Sequence, residues 1–249
     1  KLPESHVACA VALADKLETL SGMFGIGQLP TGDRDPFALR RHALGVIRIL
    51  IERDLPLRLN TLVSDAFLVF ADTLKLAQSQ TDLEFFFYDR MRGYFADKGY
   101  SAQEIDAVLS LSPVAVNQIP QQLAAVRAFA DLPEAASLSA ANKRIKNILQ
   151  KSPPPNADVF SEKRLTTPEE ISLHQAFVAA DAKAKAAYEA GRFTETLTAL
   201  AVLKTPVDAF FDKVMVNVED EALRNNRLLM LAQLESAFNR FADISKLAA

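Results

Sequence analysis

Glycine is scarce in this chain, cysteine almost absent, and a surplus of positive charge missing, and each shortage removes a class of protein. The 249 residues include 8 Gly, 1 Cys and 3 His and carry a formal net charge of −3. So few glycines, set against long runs of Ala, Leu, Glu, Lys and Gln, favour helix. A single cysteine forms no internal disulfide. Cys9, within VACAVALA, reads as a small core residue, and the cytoplasm is the expected compartment. The acidic balance, with an isoelectric point of about 5.7, excludes a protein that coats nucleic acid without preference, and DNA is not an expected partner. It leaves room for a local basic patch. No signal peptide opens the chain, and its longest apolar runs are interrupted, as Arg48 interrupts LGVIRILI, so no membrane partner is expected. The first residue is Lys1, in helix-like sequence, so the chain reads as part of something longer.

Motifs that carry chemistry are also missing. There is no P-loop, and the glycines Gly22, Gly25 and Gly27 do not fit the dinucleotide-binding pattern. No zinc spacing appears, and no Ser or Cys nucleophile stands near a base in sequence. No catalytic residue and no metal ligand are assigned.

What is present is helical periodicity, and the expected fold is all-α, with no stretch that alternates as a strand does. Val7, Val11, Ala14, Leu17, Leu20 and Phe24 share one helical face. Asp35 followed by Pro36 predicts a helix start, and Leu39, Leu44, Ile47 and Leu50 build the buried face of that helix. Leu55 to Leu76 continues helical. Phe85, Phe86, Phe87, Tyr88, Tyr94 and Phe95 read as core rings, and Ser101 with Glu104 as a capping box. Ile145, Ile148 and Leu149 face inward on a helix whose outer row is Lys143, Lys146, Asn147 and Gln150, with Arg144 and Lys151 beside it. Ser152 to Glu170 is a proline-rich loop ending in the helix start Thr167-Pro168-Glu169-Glu170. Gly191 separates two helices. Near the end, Val207, Phe210, Phe211, Val214, Met215 and Val218 predict one amphipathic helix beginning at Pro206. The acidic run Glu219-Asp220-Glu221 opens another. That last helix buries Leu231, Leu234, Phe238 and Phe241 and carries Arg224 and Arg227 three residues apart on its opening turns. On residue types alone, these arginines either pair with the acidic run or hold a phosphate.

Three sets of residues carry a resemblance. ALADKLETLSGMFGIG with PTGDRDPFALRR, then ANKRIKNIL, then FFDKVMV, Leu223-Arg224, Arg227-Leu228 and ADIS resemble the bacterial glycyl-tRNA synthetase β-subunit family. The first set is similar to its HD-type domain, the others to a DALR-type anticodon-binding domain. The resemblance implies three parts: residues 1–75, the end of a non-catalytic HD-like helical domain; 76–140, a helical connector; and 141–249, a DALR-like helix bundle. In HD hydrolases Asp15 would be the last metal-binding residue. Those enzymes also need a His-Asp dipeptide, however, and none of His6, His42 and His174 is followed by Asp.

The same resemblance implies a fragment that binds the anticodon arm of glycine tRNA and is not catalytic by itself, consistent with the absence of class I synthetase signatures. Glycyl-adenylate chemistry, with ATP and Mg²⁺, belongs to a separate α subunit in an α2β2 assembly, and no cofactor is expected in this chain. The tRNA-binding candidates are Lys143, Arg144 and Lys146 on one helix and Arg224 and Arg227 on another, all expected at the surface, with Asn225 and Asn226 as readers of unstacked bases. Arg34, Arg40 and Arg41 are candidates for acceptor-side or loop contacts. The competing readings are a helical interaction scaffold and a divergent HD-type metal phosphohydrolase.

Overall fold

A computed structural model describes residues 1–70, 77–155 and 159–248. Among them the chain forms eleven α-helices and three short 3₁₀ turns, and the only β-type pairing consists of isolated bridges. The all-α expectation is met. None of the described helices is long and apolar enough to cross a membrane.

The residues group into two compact units: Lys1–Ile105 with Ser112–Pro120, and Asp106–Leu111 with Gln121–Ala249. In the first, α1 (His6–Gly25) packs against α2 (Leu39–Glu52), α3 (Leu59–Leu68) and α4 (Ala77–Ala96). Ser5 caps α1, its hydroxyl accepting from the Ala8 N–H at 3.2 Å. The buried face of α1 runs through Cys9, Leu13, Leu17, Leu20 and Phe24. Val7 and Val11, expected inside, are 74% and 66% exposed. The periodic row is real, but the partner helices cover the neighbouring row at this end. The start of α2 also departs from expectation. Asp35 does not occupy the N-cap; Ala38 does, in the left-handed region at φ 56. The Asp35 carboxylate still reaches the orphan N–H groups of Leu39 (2.8 Å) and Arg40 (3.0 Å), capping the helix from one turn outside it. Helix α3 ends at Leu68; the expected continuation to Leu76 lies partly outside the described residues. On α4, Phe87 and Phe95 are fully buried, but Phe85 is 67% exposed, so the aromatic run is not wholly core. The Ser101–Glu104 capping box before α5 (Ala102–Leu109) is present with both of its hydrogen bonds.

In the second unit, α6 (Ile119–Ala130) leads to α7 (Ala135–Lys151), which packs against α10 (Lys204–Lys213), α11 (Glu221–Phe238) and the closing 3₁₀ turn Ile244–Leu247. Helix α8 (Pro168–Glu189) pairs with α9 (Phe193–Ala201). Gly191, at φ 71, turns the chain between them in a conformation that a side chain would strain. The predicted helix from Pro206 through Val218 is corrected: α10 ends at Lys213. Val214 to Val218 is a connector in which Val214 and Val216 are buried and Met215 is 72% exposed. Three valines among five residues favour extended backbone, and the alternation of burial is that of an extended chain. Asp220 then caps α11, accepting from the Leu223 N–H at 3.0 Å.

A candidate nucleic-acid interface

The predicted basic residues reach very different surroundings. Arg227 is not on the surface: it is 5% exposed and its guanidinium is fully engaged. Its Nε–H donates to Glu170 Oε1 at 2.6 Å, and one terminal nitrogen donates to the Met215 carbonyl at 2.7 Å. Glu170 is itself the closing residue of the Thr167 capping box. Its second oxygen accepts from the N–H groups of Thr166 and Thr167 at 3.0 and 2.9 Å and from both threonine hydroxyls. Burial alone would raise the Glu170 pKa. The Arg227 bond and the threonine donors outweigh that and hold it down at about 2. A single ion pair thus joins the start of α8, the 214–218 connector and the first turns of α11. Arg227 pairs with a carboxylate far away in sequence, not with the Glu219–Glu221 run and not with solvent.

Asn226 is also buried. Its amide accepts from the Ser161 N–H at 2.8 Å and donates to the Ser161 carbonyl at 3.1 Å, pinning the loop before α8. Asn225 is buried beside it. The expectation that these amides stand free for bases is corrected. Arg224 is half-buried, with one terminal nitrogen donating to the Val218 carbonyl at 3.0 Å. Lys146 is half-buried and pairs with the buried Asp243. That carboxylate also accepts from the Ser245 N–H and hydroxyl, and its pKa lies below the usual range because these bonds outweigh burial. Asp243 in turn donates its own N–H to the Ala107 carbonyl at 2.6 Å. Lys146 therefore anchors the closing turn.

Lys143 and Arg144 keep the exposed position expected of them. Together with Asn147, Ile148, Lys151, Ser152 and Asn217 they line a groove of about 430 Å³. Among the described residues, neither of these two cations nor Lys151 forms an ion pair or hydrogen bond, and Arg144 lies over the Phe211 ring with its Cζ 4.3 Å from the centroid. Ser152 and Asn217 also line a second groove, of about 690 Å³, bordered by Pro153, Glu219, Glu221 and Arg224. The two share a wall and form one trough, cationic along α7 and mixed in sign at the start of α11. Lys151 and Asn217 were not among the predicted site residues. Lys151 was visible as a cation beside the α7 row; Asn217 gave no signal, because its position depends on the end of α10 at Lys213.

In the first unit, the side chains of Arg34 and Arg41 are exposed, while Arg40 donates to the Gly32 carbonyl at 2.6 Å and closes the turn before α2. Asp15 is exposed beside Lys16, 3.6 Å away. No group of three or more His, Cys, Asp or Glu side chains placed to hold a metal occurs among the described residues.

Two family models match the chain. Residues 1–110 match the glycyl-tRNA synthetase β subunit, and residues 138–244 match the DALR anticodon binding domain, the segment that contains most of α7, all of α11 and the residues lining the trough. The chain belongs to the glycyl-tRNA synthetase β-subunit family. Among curated relatives, it is 56% identical over 248 residues to the glycine–tRNA ligase β subunit of Thiobacillus denitrificans and 55% identical over 248 to that of Dechloromonas aromatica. It is 52% identical over 261 aligned residues to the one from Nitrosomonas europaea. Each match covers 100% of this chain but only 35–36% of the relative, so the chain spans about a third of the length of the proteins it matches.

Proposed function

We propose that this chain is the tRNA-binding portion of a glycine–tRNA ligase β subunit, acting in the cytoplasm, and that it holds the anticodon arm of glycine tRNA along the trough on α7. A separate α subunit, in an α2β2 assembly, then carries out the ATP- and Mg²⁺-dependent aminoacylation. The chain itself needs no cofactor for this role. The observation that carries the reading is the row Lys143, Arg144 and Lys151, exposed and without ionic partners among the described residues, within the segment matching an anticodon-binding domain. An acidic protein that binds RNA must gather its cations in one place, because phosphate contacts supply most of the affinity and fix the register. The α7 row stands on a helix anchored by the fully buried Leu138 and Ile145. Cations held this way meet phosphates with less ordering cost than cations on loops. Arg224 contributes at the far end of the trough, and the exposed Arg34 and Arg41 are further candidates for contacts elsewhere on the RNA.

The test is fluorescence anisotropy with labelled tRNAs. The full 249-residue chain should bind glycine tRNA with a marked salt dependence and prefer it to a tRNA of another anticodon. Reversing Lys143 and Lys151 to Glu should abolish binding while the far-UV circular dichroism spectrum is unchanged. Equal binding by that variant would remove the trough as the RNA site.

A further inference from the structure

We propose that Arg144, stacked on Phe211, forms a platform on which one unpaired nucleobase of the bound RNA stacks; this rests on the reading of the trough as an RNA site. The geometry is layered. Phe210 is fully buried in the core. Phe211 meets it edge-on, with centroids 5.4 Å apart and planes at 74°. The Arg144 guanidinium then lies over Phe211 at 4.3 Å. Phe211 is thereby fixed by the core, and the guanidinium is fixed by Phe211 through the attraction of a cation for the face of a ring.

The other side of the guanidinium has no ring or carboxylate partner among the described residues, and Arg144 is exposed at the groove wall. A planar cation held over a ring in this way differs from a flexible point charge such as Lys143. It offers a π-compatible surface of about the size of a base and keeps its N–H edge free for a phosphate or base acceptor. RNA-binding proteins exploit both aromatic rings and guanidinium planes to hold splayed-out bases. The neighbours fit the same ligand. Asn147 and Asn217 line the groove with amides able to pair with a base edge, and Lys143 and Lys151 are placed for the flanking phosphates. An acidic peptide would need only the charges and would gain nothing from the stack.

The experiment uses the full 249-residue chain and the glycine tRNA anticodon stem-loop, with each loop base replaced in turn by an abasic site. One abasic position should weaken binding to the natural chain by about tenfold and have almost no effect on Arg144→Lys, which keeps the charge and loses the plane. Arg144→Lys should leave the salt slope unchanged. Phe211→Leu, which removes the ring with modest change in volume, should reproduce the Arg144→Lys pattern. If every abasic substitution costs the same in the natural chain and in Arg144→Lys while Lys143→Ala still weakens binding, the trough holds RNA but Arg144 acts only as a charge, and the platform is refuted. If Lys143→Ala and Lys151→Ala leave both affinity and salt slope unchanged, the RNA reading of the trough falls, and the platform with it.

Discussion

Helices α7 and α11 each carry a row of cations, and in sequence the two rows look alike. In the folded chain they part ways, except that Lys146 of α7 is paired with Asp243 much as Arg227 is with Glu170. On α7, Lys143 and Arg144 stand in the open, and Arg144 rests on a ring. On α11, Arg227 is buried against Glu170 and Arg224 is half-covered and bonded to a backbone carbonyl. The difference lies in what covers each helix. The basic face of α7 borders an open groove, whereas the start of α11 is covered by the 214–218 connector and by the loop before α8. A cation under such cover must be neutralised by a partner, because an unpaired buried charge is not tolerated. A basic residue on a helix is thus a candidate for RNA only where the surrounding chain leaves it uncovered.

The comparison breaks first at Glu170. Glu170→Ala should leave Arg227 buried without its counter-charge and cost on the order of 3–5 kcal/mol, read from urea unfolding. A loss below about 1 kcal/mol would mean that Arg227 escapes to water and the two helices are less different than described. Next is acid. The folded pKa of Glu170, about 2, lies below its ordinary value of 4.5, so its contribution is fully present above about pH 5 and is lost as pH falls through the native value. That contribution should be on the order of 3 kcal/mol, and Glu170→Gln should flatten the acid limb of the stability curve. Asp243, also lowered, adds to the same limb.

Smaller effects sharpen the functional side. Lys143→Ala with Arg144→Ala should cost about 1–3 kcal/mol in RNA affinity and reduce the log–log salt slope by roughly 0.7 for each phosphate no longer neutralised. Unfolding free energy should stay within about 0.5 kcal/mol of the natural chain. Arg224→Ala should have the least effect on binding, below about 1 kcal/mol, because Val218 already holds its guanidinium and Glu219 and Glu221 border the same groove. Should Arg224→Ala weaken RNA binding more than the α7 pair does, the assignment of the two rows would have to be reversed.

Local signals read from the sequence held where a few neighbouring residues decide the structure. The capping box at Ser101, the helix start at Thr167-Pro168, the turn at Gly191, the new helix opened by the Glu219–Glu221 run and the buried row Leu231, Leu234 and Phe238 all stand as expected. The readings that failed depend on partners distant along the chain. Arg227 and Glu170 are 57 positions apart, and Asn226 and Ser161 are 65 apart, so nothing near Arg227 in sequence announces its burial. The same applies to Val7 and Val11, whose periodicity is correct but whose end of the row is left uncovered among the described residues, while Leu17, Leu20 and Phe24 are buried. The connector at 214–218 failed for a different reason: its apolar residues satisfy a helical spacing and an alternating one at once, and its valines tip the balance toward extended backbone. Half of the candidate site, Lys143 and Arg144, was legible because it needed only a helix and an exposed face. Asn217 was not, because its place follows from that connector.

The interleaving of the two units has a consequence for modularity. The helical bundle with α7 and α11 is not one continuous stretch of chain: it borrows Asp106–Leu111 from between two segments of the other unit, and the Ala107 carbonyl in that strip accepts the Asp243 N–H. Asp243 is also the residue that engages Lys146 of α7. A cut at Gln121 would therefore remove a tether of the closing turn and trim the start of α6, while leaving α7 to α11 whole. For grafting or exchange between relatives, the bundle is not a cassette with two ends but a piece with a hidden third edge, and the short strip must travel with it.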